Sequence, residues 1–93
     1  MDEKNIEQKL RITIKKMGGL CLKFVSPSLD GVPDRIILMP GGYVGFAEIK
    51  STGQKPRPLQ LRRKRQLERL DFPVFVIDRP EQIGEVLDEI LSS

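Results

Sequence analysis

Histidine is absent from this chain and cysteine occurs once. The first absence excludes a histidine base and leaves a zinc site almost without ligands. The second rules out an internal disulfide, and Cys21 reads as a buried small hydrophobe. No apolar run approaches the roughly 20 residues that cross a bilayer, and the first segment lacks the apolar centre of a signal peptide. A cytoplasmic protein with no membrane partner is therefore expected. Repeats and low-complexity tracts are also missing. Whatever chemistry the chain performs must come from carboxylates, lysines and a bound metal.

What is present is a soluble, globular composition. The 93 residues are 39% apolar and 31% charged, enough for one core and one domain over 1–93. The net charge of +3 is modest, but its distribution is uneven. Seven basic residues, Lys50, Lys55, Arg57, Arg62, Arg63, Lys64 and Arg65, fall between positions 50 and 65 with no acid among them. That segment reads either as a contact for a polyanion or as a solvated helix face.

Periodicity gives the element order α-β-β-β-α-β-α. A helix is expected from Asp2 to about Met17, with Ile6, Leu10, Ile14 and Met17 as its apolar stripe and Gly18-Gly19 to stop it. Glu7 lies at the edge of that stripe, where it either reaches toward the sheet or snorkels to water. Leu20 to Val25 alternates as a strand, with Lys23 at its end as a possible phosphate contact or a plain solvent-exposed lysine. After a turn-rich loop, two apolar strands around Pro40-Gly41-Gly42 form a hairpin, and small Gly45 and Ala47 on the second strand leave room for a helix. Ser51 to Arg57 reads as a mobile loop. Pro58 opens a helix to about Leu70, with Leu59, Leu67 and Leu70 as its buried stripe and Arg62, Arg65 and Arg69 along another face. Phe72 to Ile77 is a strand. Asp78 and Glu81 read as a capping box before a last helix that buries Ile83, Val86, Leu87 and Ile90.

The stretch Gly31 to Lys50, GVPDRIILMPGGYVGFAEIK, organises the rest. Glu48 and Lys50 are two apart on a strand and share a face. Asp34 at the start of the neighbouring strand would give two carboxylates and a lysine at one end of the hairpin, the donor set of a Mg2+ site. A symmetric loop, however, pairs Asp34 with Ile49 and puts Asp34 and Glu48 on opposite faces. Bringing them together requires a three-residue loop, a bulge, or Asp34 bent out of the ladder beside Pro33.

The helix with Glu7, then KFVSP and GVPDRI, then Glu48-Ile49-Lys50 and Pro58-Leu59-Gln60, closely resembles the VRR-NUC family of the PD-(D/E)XK nuclease superfamily over nearly the whole chain. The resemblance implies a restriction-endonuclease-like core, with a mixed four-stranded sheet flanked by helices. It implies Glu7, Asp34 and Glu48 as metal-site acids with the Ile49 carbonyl as a further ligand, Lys50 as the catalytic lysine, and Gln60 as the family glutamine. Mg2+ or Mn2+ would be the cofactor. Lys23, Lys55, Arg57, Arg62, Arg65 and Arg69 are the expected DNA contacts. The resemblance is to the stand-alone form of phages and bacteria, which implies an endonuclease on branched DNA such as four-way junctions; the two coordinated cuts that a junction needs then call for a twofold homodimer. Val25, Leu29, Val32, Tyr43 and Phe72 are the apolar residues expected to be left over for such a dimer. The alternatives are a monomeric flap or nicking nuclease, a non-catalytic DNA-binding module, and a structural phage protein that keeps the fold.

Overall fold

The computed structural model describes residues 1–92. Helix α1 runs over Glu3–Lys16, capped by the Asp2 carboxylate, which accepts a 2.9 Å hydrogen bond from the Asn5 N–H. Strands β1 (Leu20–Lys23), β2 (Arg35–Met39) and β3 (Tyr43–Ile49) follow, then helix α2 (Pro58–Arg69), strand β4 (Val74–Ile77), a short 3-10 turn at Pro80–Gln82 and helix α3 (Ile83–Leu91). The expected element order holds.

The four strands lie in the order β1-β2-β3-β4. The first two junctions are antiparallel and the β3-β4 junction is parallel, with α2 as the crossover. One face of this mixed sheet carries Ile37, Met39, Ala47, Ile49 and Ile77, and it packs against Ile6, Leu10 and Ile14 of α1 and Ile83, Val86, Leu87 and Ile90 of α3. Each such buried side chain contributes roughly 1.5–3 kcal/mol, so the stripe rather than helix propensity holds α1 in place. Gly45 meets the same face, where an added Cβ would lie 2.6 Å from Ile90 Cδ1. That close approach of α3 is why a strand interior tolerates glycine here.

The other face is thinly covered. Helix α2 lies chiefly along β4 and has no fully buried residue. The expected stripe is therefore only partly realised: Leu67 is half-buried, while Leu59 and Leu70 are exposed. Their helix sits at the margin of the sheet, and its ends overhang. Three smaller expectations also shift. Strand β1 stops at Lys23, two residues early. Met17 is the exposed cap residue of α1 rather than part of its buried stripe. Before α3 it is Gln82, not Glu81, that closes the turn: its Oε1 accepts from the N–H groups of Asp78 (2.9 Å) and Arg79 (3.1 Å).

Candidate active site

The hairpin closes on a Met39–Tyr43 pair, so its loop is the three residues Pro40, Gly41 and Gly42. The ladder then runs to Arg35 opposite Ala47. Asp34, one step further, stands opposite Glu48 on the face turned away from the core. The odd loop length is what brings the two acids together.

Asp34 is fixed at two points. Its Oδ2 accepts a 2.8 Å hydrogen bond from the Ile49 N–H, and its backbone carbonyl accepts from the Phe24 N–H at 2.9 Å. Glu48 is 4% exposed, and its Oε1 is buried with no hydrogen-bond partner. Burial, a hydrogen bond with Asp34 and the Asp34 charge push the Glu48 carboxyl up from 4.5 to about 8, while Lys50 and Arg57 pull it back. At neutral pH the two acids therefore hold a proton where a cation would serve better. An orphaned buried oxygen beside a second carboxylate fits a hard divalent ion with oxygen ligands. Among the described residues no third acid joins the pair.

Lys50 is half-buried, its N–H donating to the Ile77 carbonyl at 2.9 Å, and strand alternation sets it on the Glu48 face. Gln60 serves the backbone: its Oε1 accepts from the Arg57 N–H at 2.8 Å and closes the first turn of α2. That fixes Arg57, whose charge is felt at Glu48, at the head of the helix. Glu7 is not brought to the pair. Its carboxylate is taken by Arg35 on the core side of the sheet, at 2.9 Å. Of the expected DNA contacts, Lys23, Lys55, Arg57, Arg62, Arg65 and Arg69 are all exposed. Arg62, Arg65 and Arg69 share an open groove of about 430 Å³ with Arg63 and Gln66.

Three residues carry more than the sequence reading gave them. Arg35 is buried, and the signal was its place two before Ile37 and four before Met39, on the inward face of β2. Arg63 donates to the Asp30 carbonyl at 2.6 Å, tying α2 to the loop that leads to Asp34. Gly31 lies at that same junction with φ +78°, and an added Cβ would meet Leu59 Cγ at 2.7 Å and the Leu59 carbonyl at 3.1 Å. Both the backbone angle and the close approach exclude a larger residue. Gly31→Ala is expected to lose about 1–3 kcal/mol of stability in urea unfolding; a loss under 0.5 kcal/mol would show that the loop simply lifts away from α2.

No family model matches the chain. It is 45% identical over 76 residues to the protein named "Putative nuclease p44" of Acyrthosiphon pisum secondary endosymbiont phage 1, a match that covers 82% of either chain. Among solved structures it superimposes on a chain titled "VRR_NUC domain" with a TM-score of 0.85 and 26% identity, over 92% of this chain and 94% of the other.

Proposed function

The chain belongs to the VRR-NUC family of nucleases, and from that premise we propose that it is a Mg2+- or Mn2+-dependent endonuclease that cuts branched DNA, with Asp34, Glu48 and Lys50 at its centre. The observation that carries this reading is the buried, unpartnered Glu48 Oε1 directly opposite Asp34. Asp34, Glu48 and the Ile49 carbonyl would hold the ion, which when bound supplies Lewis acidity toward the scissile phosphate and lowers the pKa of a water.

The remaining steps belong to the protein. The Ile49 N–H keeps the Asp34 carboxylate in one orientation, so little reorganisation is needed when the substrate arrives. Glu48 gives up its proton as the cation is taken up, because the field that held that proton is reversed. The Lys50 ammonium, on the Glu48 face, would orient the attacking water by hydrogen bonding and offset the negative charge that builds on the phosphate oxygens. Gln60 secures the head of α2, and Arg57 there adds a second positive charge beside the acids.

A homodimer, and through its paired sites a branched substrate, is supported by the apolar side chains left exposed on the outer sheet face and the loops beside it. Val25 is 80% exposed, and Leu29 and Phe72 are exposed as well, together with Leu20 and Leu22 on β1. Val32 and Tyr43 are half-buried, and Tyr43 packs on the core, so they contribute less. Two copies related by a twofold axis would present two cutting sites to a four-way junction in the bacterial or phage-infected cytoplasm. Among the described residues no helix is long and apolar enough to cross a membrane.

Linear, flap and four-way-junction DNA, each with and without Mg2+, test the proposal. Cleavage should require the ion and favour the junction, and sedimentation should show a dimer at micromolar concentration. A monomer that cuts flaps and junctions equally would replace the junction-resolving reading with the flap nuclease. Binding without cleavage under either ion would leave a DNA-binding module.

A further inference from the structure

Arg35 is 6% exposed on the sheet face that packs against α1 and α3. Its Nε donates to Glu7 Oε2 at 2.9 Å, and its Nη1 donates to the Cys21 carbonyl on β1 at 3.4 Å. One guanidinium thus joins α1, β1 and β2 across 28 positions of sequence. An ion pair with one buried partner, as here, where Arg35 is buried and Glu7 only half-buried, is a poor source of stability, because apolar side chains of the same volume pack as well; its best-attested use is to favour one arrangement over its competitors.

The arrangement at stake here is the one next door. Asp34 precedes Arg35, and the β2-β3 ladder ends at Arg35. A slip of one residue would turn Asp34 into the core and present Arg35 to Glu48. Beyond the ladder Asp34 has the Ile49 and Phe24 N–H groups to hold it, and Pro33 before it has no N–H to give. We propose that Glu7 and Arg35 are a positioning pair that fixes the start of β2, so that the Asp34 carboxylate stays opposite Glu48 and on the Ile49 N–H. Glu7 acts on the site through Arg35 and not as a ligand of its own. The proposal rests on the nuclease reading only in giving Asp34 a metal to bind.

Amide hydrogen exchange in the full chain tests it without activity. In Glu7→Gln, in Arg35→Met and in the double variant, the Ile49 amide should exchange about tenfold faster, the loss of one hydrogen bond. The Phe46 and Lys50 amides, which donate to Pro73 and Ile77 on the other side of β3, should keep their protection. Mn2+ affinity, read by calorimetry, should fall by a similar factor in all three variants and no further in the double one. If Arg35→Met does not fold, Arg35→Lys keeps the charge without the planar fork and should show the same amide change. Unchanged Ile49 exchange in Glu7→Gln overturns the proposal, as does uniform acceleration of all three amides, which marks a merely structural pair. Mn2+ binding lost in Glu7→Gln but kept in Arg35→Met would make Glu7 a ligand and also overturn it. Absence of Mn2+ binding in the unaltered protein, with the Ile49 effect intact, would count against the metal reading and leave the positioning role standing.

Discussion

Glu48→Gln is expected to abolish DNA cleavage while making the metal-free protein more stable at pH 8. The loss of activity should be on the order of a thousandfold, as for removal of a main electrostatic partner of a transition state, and Asp34→Asn should match it. The gain in stability follows from the buried carboxyl. The folded protein holds the Glu48 proton up to about pH 8, against 4.5 for the unperturbed group. As pH rises from 4.5 to 8, the unfolded chain ionises at this position and the folded one does not, so the native state loses ground throughout that window. The handicap is absent below pH 4.5 and complete above pH 8. A glutamine never ionises, and its amide can donate to Asp34 where the shared proton stood. The variant should thus melt like the wild type near pH 4 and above it at pH 8, by a few kcal/mol at most.

Divalent ions should reverse that order. At a hundredfold excess over Kd, Mn2+ should stabilise the wild type by about 2.7 kcal/mol and leave Glu48→Gln unmoved. Lys50→Ala provides the contrast, since it should lose cleavage while keeping the Mn2+ stabilisation. Melting curves at pH 4 and pH 8, with and without Mn2+, give all of these comparisons. If Glu48→Gln takes up Mn2+ as the wild type does, Glu48 is not a ligand.

That Asp34, Glu48 and Lys50 would sit at one end of a hairpin was legible because strand alternation and turn chemistry are local. Whether the two acids face each other was not. It depends on one residue of loop length, and Pro40-Gly41-Gly42 is compatible with more than one turn. The stripe on α1 was legible because Ile6, Leu10 and Ile14 repeat at helical spacing and are fully buried. On α2, Leu59, Leu67 and Leu70 repeat almost as well, yet two of them are exposed. Periodicity reports which residues share a face, not whether the fold brings anything to cover it. The partner of Glu7 was hidden for a further reason: a border acid on a helix does not reveal that a strand arginine 28 positions away points inward, unless the alternation of Arg35, Ile37 and Met39 is taken to outrank the charge.

Changing Arg62, Arg65 and Arg69 together to Gln is expected to flatten the salt dependence of DNA binding by about 2.7 units of log–log slope, at about 0.9 per phosphate contact. The structure sorts the basic segment for this test. Arg63 is spent on the Asp30 carbonyl and Lys64 on Glu68 at 2.9 Å, so neither is a strong phosphate candidate. Arg62, Arg65 and Arg69 are exposed, fall at i, i+3 and i+7 on one face of α2, and form no ion pair among the described residues. Seven residues of helix span roughly 10 Å, about three base-pair steps of duplex axis. Since Arg57 caps the head of α2 and its charge is felt at Glu48, a duplex arm lying on that face would lead its backbone toward Asp34 and Glu48. Phosphate contacts position DNA without reading it, so the triple variant should weaken binding to linear and branched DNA alike, and cleavage should recover at low salt. A slope equal to the wild type would move the path of the DNA off α2 and onto the loop that carries Lys55 and Arg57.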